Sequence, residues 1–145
     1  MLVQQILTSK GGEGGVISVK PDAKVADAAQ LLSSKRIGTV VVSADGNSLD
    51  GILSERDIVR ELGKRGAGCL NETVAGMMTS TLITCTPQDS ADAVLKKMTD
   101  GRFRHMPVVD DGKMIGLISI GDVVKARLAE LAMEKDALQG MIMGH

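Results

Sequence analysis

Residues 16 to 46, "VISVKPDAKVADAAQLLSSKRIGTVVVSADG", align without a gap on residues 82 to 112, "LITCTPQDSADAVLKKMTDGRFRHMPVVDDG", at a constant offset of 66. Pro21 falls on Pro87, Arg36 on Arg102 and Gly46 on Gly112. The apolar set Val25, Ala28, Ala29 and Leu32 falls on Ala91, Val94, Leu95 and Met98, and its spacing marks one face of a helix. Past Gly46 the offset drops to 65, which lays "GILSERDIV" from Gly51 onto "GLISIGDVV" from Gly116. Upstream, "VQQILTS" at 3 to 9 matches "VAGMMTS" at 74 to 80, after which the first copy inserts "KGGEGG". A chain that repeats itself at this length has to fold as two copies of one plan.

Each copy reads as a lead-in, a strand (16–19; 82–85), a helix (23–34; 89–100), a strand (39–43; 105–109), a turn at Asp45-Gly46 or Asp111-Gly112, a strand (49–53; 114–118) and a helix from Ser54 or Ser119. The fold class is α+β: two β-α-β-β-α repeats, at 1–68 and 69–145, packed as a pseudo-twofold pair through their apolar sheet faces. The final helix is expected to run from Asp122 well past Leu131, with Val124, Leu128, Leu131 and Leu138 near one stripe. An apolar stripe on an overhanging helix favours self-association, so a homodimer is expected.

Composition removes several function classes. A net charge of −1 supplies no global basic field for nucleic acid or an anionic membrane. Cys69 and Cys85 are too few for a disulfide framework and lack metal-ligand spacing, so both are expected reduced and packed. The start "MLVQQILTSK" is too short an apolar stretch for a signal peptide, and no later run approaches the ~18 residues of a membrane span, so a cytoplasmic protein is expected. One Phe, no Trp and no Tyr leave a core of aliphatic residues and Met. They also leave almost no protein absorbance near 280 nm.

The two Ser-x-x-Asp segments carry the chemistry. Ser54 with Asp57, and Ser119 with Asp122, have capping-box spacing at a helix start. A cap does not account for Gly51 and Gly116 three residues before each serine. A carboxylate on the first helical turn can also accept from both hydroxyls of a ribose, beside free amides and the positive end of the helix dipole. The nearby glycine is expected to let a purine lie close against the strand. Ribonucleotides should then be preferred over deoxyribonucleotides.

With "GILSERD" and "GLISIGD", "RIGTVVV" and "RFRHMPVV", and the lead-in "VAGMMTS", the chain resembles a tandem pair of cystathionine β-synthase (CBS) domains, as in small stand-alone bacterial proteins. The resemblance implies a regulatory module that binds an adenine nucleotide (AMP, ADP, ATP or NAD(H)) in the cleft between the repeats. Carried over by position, Asp57 and Asp122 hold ribose hydroxyls, with Ser54 and Ser119 beside them. Thr79, Ser80 and Thr81 lie against the adenine, and Thr8, Ser9 and Lys10 are their counterparts. Arg104 and His105 face the phosphates, where the first repeat has Gly38 and Thr39; Arg56 and Lys20 are further phosphate candidates. Glu55-Arg56 against Ile120-Gly121 makes the two sites unequal. No nucleophile, base and orienting group share a readable spacing, so neither an enzyme nor a catalytic cofactor is expected. The alternative is a protein-interaction module that regulates a partner enzyme without a small-molecule ligand.

Overall fold

The structure, a computed structural model, describes residues 1–10 and 16–142; Gly11–Gly15 of the glycine-rich insertion lie outside the described residues. The elements are α1 (Val3–Ser9), β1 (Ser18–Val19), α2 (Val25–Lys35), β2 (Thr39–Val42), β3 (Gly51–Ser54), α3 (Glu55–Arg65), a 3-10 turn (Ala67–Asn71), α4 (Val74–Met77), α5 (Ala91–Gly101), β4 (His105–Asp110), β5 (Lys113–Ser119) and α6 (Ile120–Ile142). No described helix is long and apolar enough to cross a membrane.

The duplicated pattern is visible residue by residue. Helices α2 and α5 end on Arg36 and Arg102, which take left-handed φ values of 55° and 56°. The apolar stripes read from the sequence face inward: Val25, Ala28 and Leu32 are buried on α2, as are Ala91, Val94 and Met98 on α5. In the first repeat, β1 pairs parallel with β2 and β2 antiparallel with β3, with Val19 opposite Val42 and Thr39 opposite Ser54. The branched side chains of β2 suit this central position, and all four of its residues are buried.

Two expectations are corrected. The strand expected at 82–85 reduces to one parallel bridge, Cys85 to Val108, in the register that Val19 and Val42 occupy in the first repeat. The second sheet therefore has two strands, β4 and β5. Between β2 and β3 the tight turn is replaced by a longer loop. There the Asp45 carboxylate accepts from the amides of Asn47 at 2.9 Å and Ser48 at 2.8 Å, and that of Asp50 from Ala44 at 2.8 Å. The bonds from Ser48 and Asn47 hold the exposed Asp45 carboxyl down at about 2. The second repeat keeps the tight turn, with φ of 52° at Asp111 and 74° at Gly112. Helix α6 begins at Ile120, directly after its cap Ser119, as the helix expected from Ser119 requires.

The compact units do not coincide with the sequence repeats. One comprises Met1–Glu13, Thr84–Val109 and Gly116–His145; the other comprises Gly14–Ile83 and Asp110–Ile115. Each lead-in docks on the body of the other repeat, through the same bonds. Val74 N donates to Ala23 O at 2.7 Å and Val3 N to Asp89 O at 2.9 Å; Val25 N donates to Glu72 O and Ala91 N to Met1 O, both at 2.9 Å. Val74 and Met77 enter the core built from α2, β2 and β3, while Val3 and Ile6 enter the core of α5, β4, β5 and α6. Cys69 and Cys85 are free and buried, one in each core. Burial, with Asp89 nearby, pushes the Cys85 thiol up to about 11, well away from a reactive thiolate.

This exchange accounts for the repeated glycine, and it corrects the expectation that the space beside it serves a purine. A Cβ on Gly51 would stand 2.6 Å from Met78 Sδ and 2.8 Å from the Thr79 carbonyl oxygen; one on Gly116 would stand 2.6 Å from Leu7 Cδ2. Both glycines clear the path of a docking lead-in. Gly51→Ala should lower stability by ~1–3 kcal/mol, because the Thr79 carbonyl is pinned by the Ile52 amide at 2.9 Å. Gly116→Ala should cost less, since the end of the Leu7 side chain can rotate away. Urea unfolding of the two variants checks the order, and a larger loss at Gly116 would contradict it.

Candidate functional site

Both Ser-x-x-Asp segments form reciprocal caps. At α3, Asp57 N donates to Ser54 Oγ at 3.2 Å, and Ser54 N and Oγ each donate to Asp57 Oδ2 at 3.0 Å. At α6, Asp122 N donates to Ser119 Oγ at 3.1 Å and Ser119 N to Asp122 Oδ2 at 2.9 Å. The residue just before β2 or β4 fixes each helix start in the same way. Glu55 N donates to Gly38 O and Ile120 N to Arg104 O, both at 2.8 Å. Gly38 and Arg104 thus share a backbone role while differing in side chain.

The site residues sort into two sets, one in each compact unit. Ser54, Asp57, Thr39, Arg56, Lys20 and Thr79–Thr81 belong to the unit of β1, β2 and β3. Thr39 is buried opposite Ser54, and the Thr79 backbone forms an antiparallel bridge with Ile52 on the outer edge of β3. Thr79, Ser80, Thr81, Arg56 and Lys20 are exposed. Ser119, Asp122, Arg104, His105, Thr8, Ser9 and Lys10 belong to the other unit. There Arg104 is exposed and His105 half-buried at the start of β4.

Within each set, the lead-in of one repeat docks beside the strand that runs into the other's helix start, yet the two lead-ins end differently. After Met77 the second turns extended at Met78, with ψ 156°, and runs along β3. The first stays helical through Ser9, where the Thr8 and Ser9 hydroxyls bond back to α1 carbonyls. That extra helical turn delivers Lys10 to the second site. Its ammonium donates to Asp122 Oδ2 at 2.8 Å and to Leu117 O at 2.9 Å. Burial favours the neutral Asp122 carboxyl, but the bonds from Lys10 and the Ser119 amide outweigh it and hold the pKa below the ordinary value. Asp122 is thereby an anion and an acceptor.

Asp57 takes its cation locally. Arg60, one turn along α3, reaches Asp57 Oδ1 at 3.1 Å. Sequence reasoning did not single out Arg60, although a basic residue three places after a first-turn carboxylate was a usable signal. Asp57 is the more enclosed of the two carboxylates, with a side chain 11% exposed against 24% for Asp122.

Comparison with known proteins identifies the family. The CBS domain family matches the chain twice, over residues 6–64 and 74–129. The CBS domain-containing protein CBSX3, mitochondrial, of Arabidopsis thaliana is 35% identical over 98% of this chain and 72% of its own length. Among solved structures, the CBS-domain containing protein ATU1752 from Agrobacterium tumefaciens is 42% identical, with a TM-score of 0.81, over 88% of this chain and 99% of that one. The structure of CBSX2 in complex with AMP is 31% identical, with a TM-score of 0.68, over 79% and 88% of the two chains. The doubled helix starts, the reciprocal lead-ins and two family matches that between them span most of the sequence make one statement: the chain belongs to the CBS domain family and carries a tandem pair of CBS domains.

Proposed function

We propose that the protein is a non-catalytic regulatory module that binds an adenine nucleotide, AMP first among AMP, ADP, ATP and NAD(H), at the two Ser-x-x-Asp helix starts. The observation that carries this reading is the doubled arrangement itself: a capped carboxylate at a helix N-terminus, with a lead-in from the other repeat docked at the glycine three residues before the cap serine. CBSX2, 31% identical, was solved in complex with AMP, which supports the ligand class. On this reading Asp57 and Asp122 accept from ribose hydroxyls, and Thr79–Thr81 and Thr8–Lys10 lie toward the base. Arg56, Arg104, His105 and Lys20 serve the phosphate, with Thr39 and the cap serines completing the walls. The capping bonds and bound cations suit both carboxylates to accepting hydrogen bonds rather than to acid-base turnover. The protein acts as a homodimer in the cytoplasm, where its buried thiols stay reduced. Ligand-dependent geometry is what a regulated partner enzyme would read, because a ligand shifts only those states it binds unequally.

With no Trp or Tyr, a nucleic-acid-free preparation should show a strong 260 nm band only where nucleotide co-purifies, and acid extraction would identify it. AMP at ~100 times its dissociation constant should add ~2.7 kcal/mol per site. In calorimetric titration, Asp57→Ala and Asp122→Ala should each remove one site, and replacing AMP by its 2′-deoxy analogue should weaken binding by ~1–3 kcal/mol. Two intact sites in the double variant would sink the ribose role.

The sites are unequal because a ligand at Asp122 has to compete with Lys10. In the free protein the folded pKa of Asp122 lies below its unfolded value. Its contribution is therefore fully present above the unfolded carboxylate pKa of ~3.9 and is lost as pH falls through the folded value. Lys10→Met should cost ~0.2–1 kcal/mol at neutral pH, the range of a partly exposed ion pair. Denaturant curves should converge on wild type in acid; a gap that persists there would place the role of Lys10 elsewhere.

A further inference from the structure

From Leu131 to Gln139 every residue of α6 is exposed. A helical extension of this length is marginal in water unless something packs on it. Val124, Leu128, Leu131, Lys135, Leu138 and Ile142 follow one another at spacings of four, three, four, three and four, the a/d rhythm of a coiled-coil seam. Its apolar members are exposed at 41%, 62%, 49%, 59% and 84%, while Val123 and Ala126 point the other way into the core.

We infer that this stripe is the seam of an antiparallel helix pair made with α6 of a second copy. The assignment deepens the homodimer reading above and rests on it. In a pairing centred on Met133, Val124 faces Ile142 of the second copy, Leu128 faces Leu138 and Leu131 faces Lys135, each contact occurring twice. No member of the stripe is left uncovered. Lys135, the one charge in the seam, sets the direction. A parallel pair would bring the two Lys135 ammoniums together in one layer. The antiparallel pair separates them and sets each beside Glu134 of the opposite copy, where the two Glu134 side chains meet near the twofold axis. In the antiparallel orientation the two Lys135 ammoniums stand apart and offset the Glu134 pair; in the parallel orientation they face each other in the seam.

Two measurements test this. By light scattering, the full chain should have twice the mass of a Leu131→Glu/Leu138→Glu variant whose circular dichroism matches wild type. Oxidising an equimolar mixture of Leu128→Cys and Leu138→Cys chains should give mainly the mixed 128–138 disulfide, since a bridge needs Cα atoms within ~7 Å. The buried Cys69 and Cys85 do not compete. Predominant 128–128 and 138–138 products, or none, would overturn the antiparallel seam. A double Glu variant that stays dimeric would overturn the seam while leaving the homodimer reading intact, and a monomeric wild type would remove both.

Discussion

The docking of each repeat's lead-in onto the body of the other is the constraint on which the rest depends. Neither repeat closes its own core: Val74 and Met77 complete the one, Val3 and Ile6 the other. The hydrogen bonds that seat the lead-ins are the same in both places, down to the pair formed by Ala75 N with Pro21 O and Gln4 N with Pro87 O. Buried apolar side chains supply the non-directional part of this stabilisation. The backbone bonds and the glycine clearances at Gly51 and Gly116 supply its register.

The same exchange builds the candidate sites. A capping box alone would fix a helix start and nothing more. Here the exchanged lead-in docks against the strand before each cap, and in the second site it brings a residue distant in sequence, Lys10, to the carboxylate. On the proposed reading, stability and function draw on one geometry: the serine and aspartate that satisfy the helix amides are the groups proposed to meet a ligand, and a glycine three residues earlier admits the docked lead-in.

Much of this was legible in the sequence. Constant offsets gave the duplication, helical spacing gave the buried faces of α2 and α5, and Ser-x-x-Asp gave both caps. The exchange was not legible, because periodicity reports which face of an element is apolar and says nothing of whose core that face enters. For the same reason Gly51 and Gly116 read as clearance for a purine, when the clearance is for Met78, Thr79 and Leu7. Turn chemistry at Asp45-Gly46 matched Asp111-Gly112 by composition, but the first loop is longer and its carboxylates had other amides to satisfy. Lys10 was named by position alone. What its alignment with Thr81 could not convey is that α1 runs one turn longer than α4, and that turn carries the ammonium to Asp122.

That difference in helix length makes the two carboxylates respond to different things. The cation on Asp57 comes from the same helix, three residues on, and stays near whatever the rest of the chain does. The cation on Asp122 comes from a residue 112 positions away, at the end of a docked lead-in and next to a glycine-rich stretch. Anything that competes for Asp122 therefore competes with the seating of α1, and anything that loosens α1 frees the carboxylate. Linkage requires these effects to be equal in free energy. Duplication produced two similar caps; a single extra helical turn couples one of them to the packing of the chain and leaves the other local.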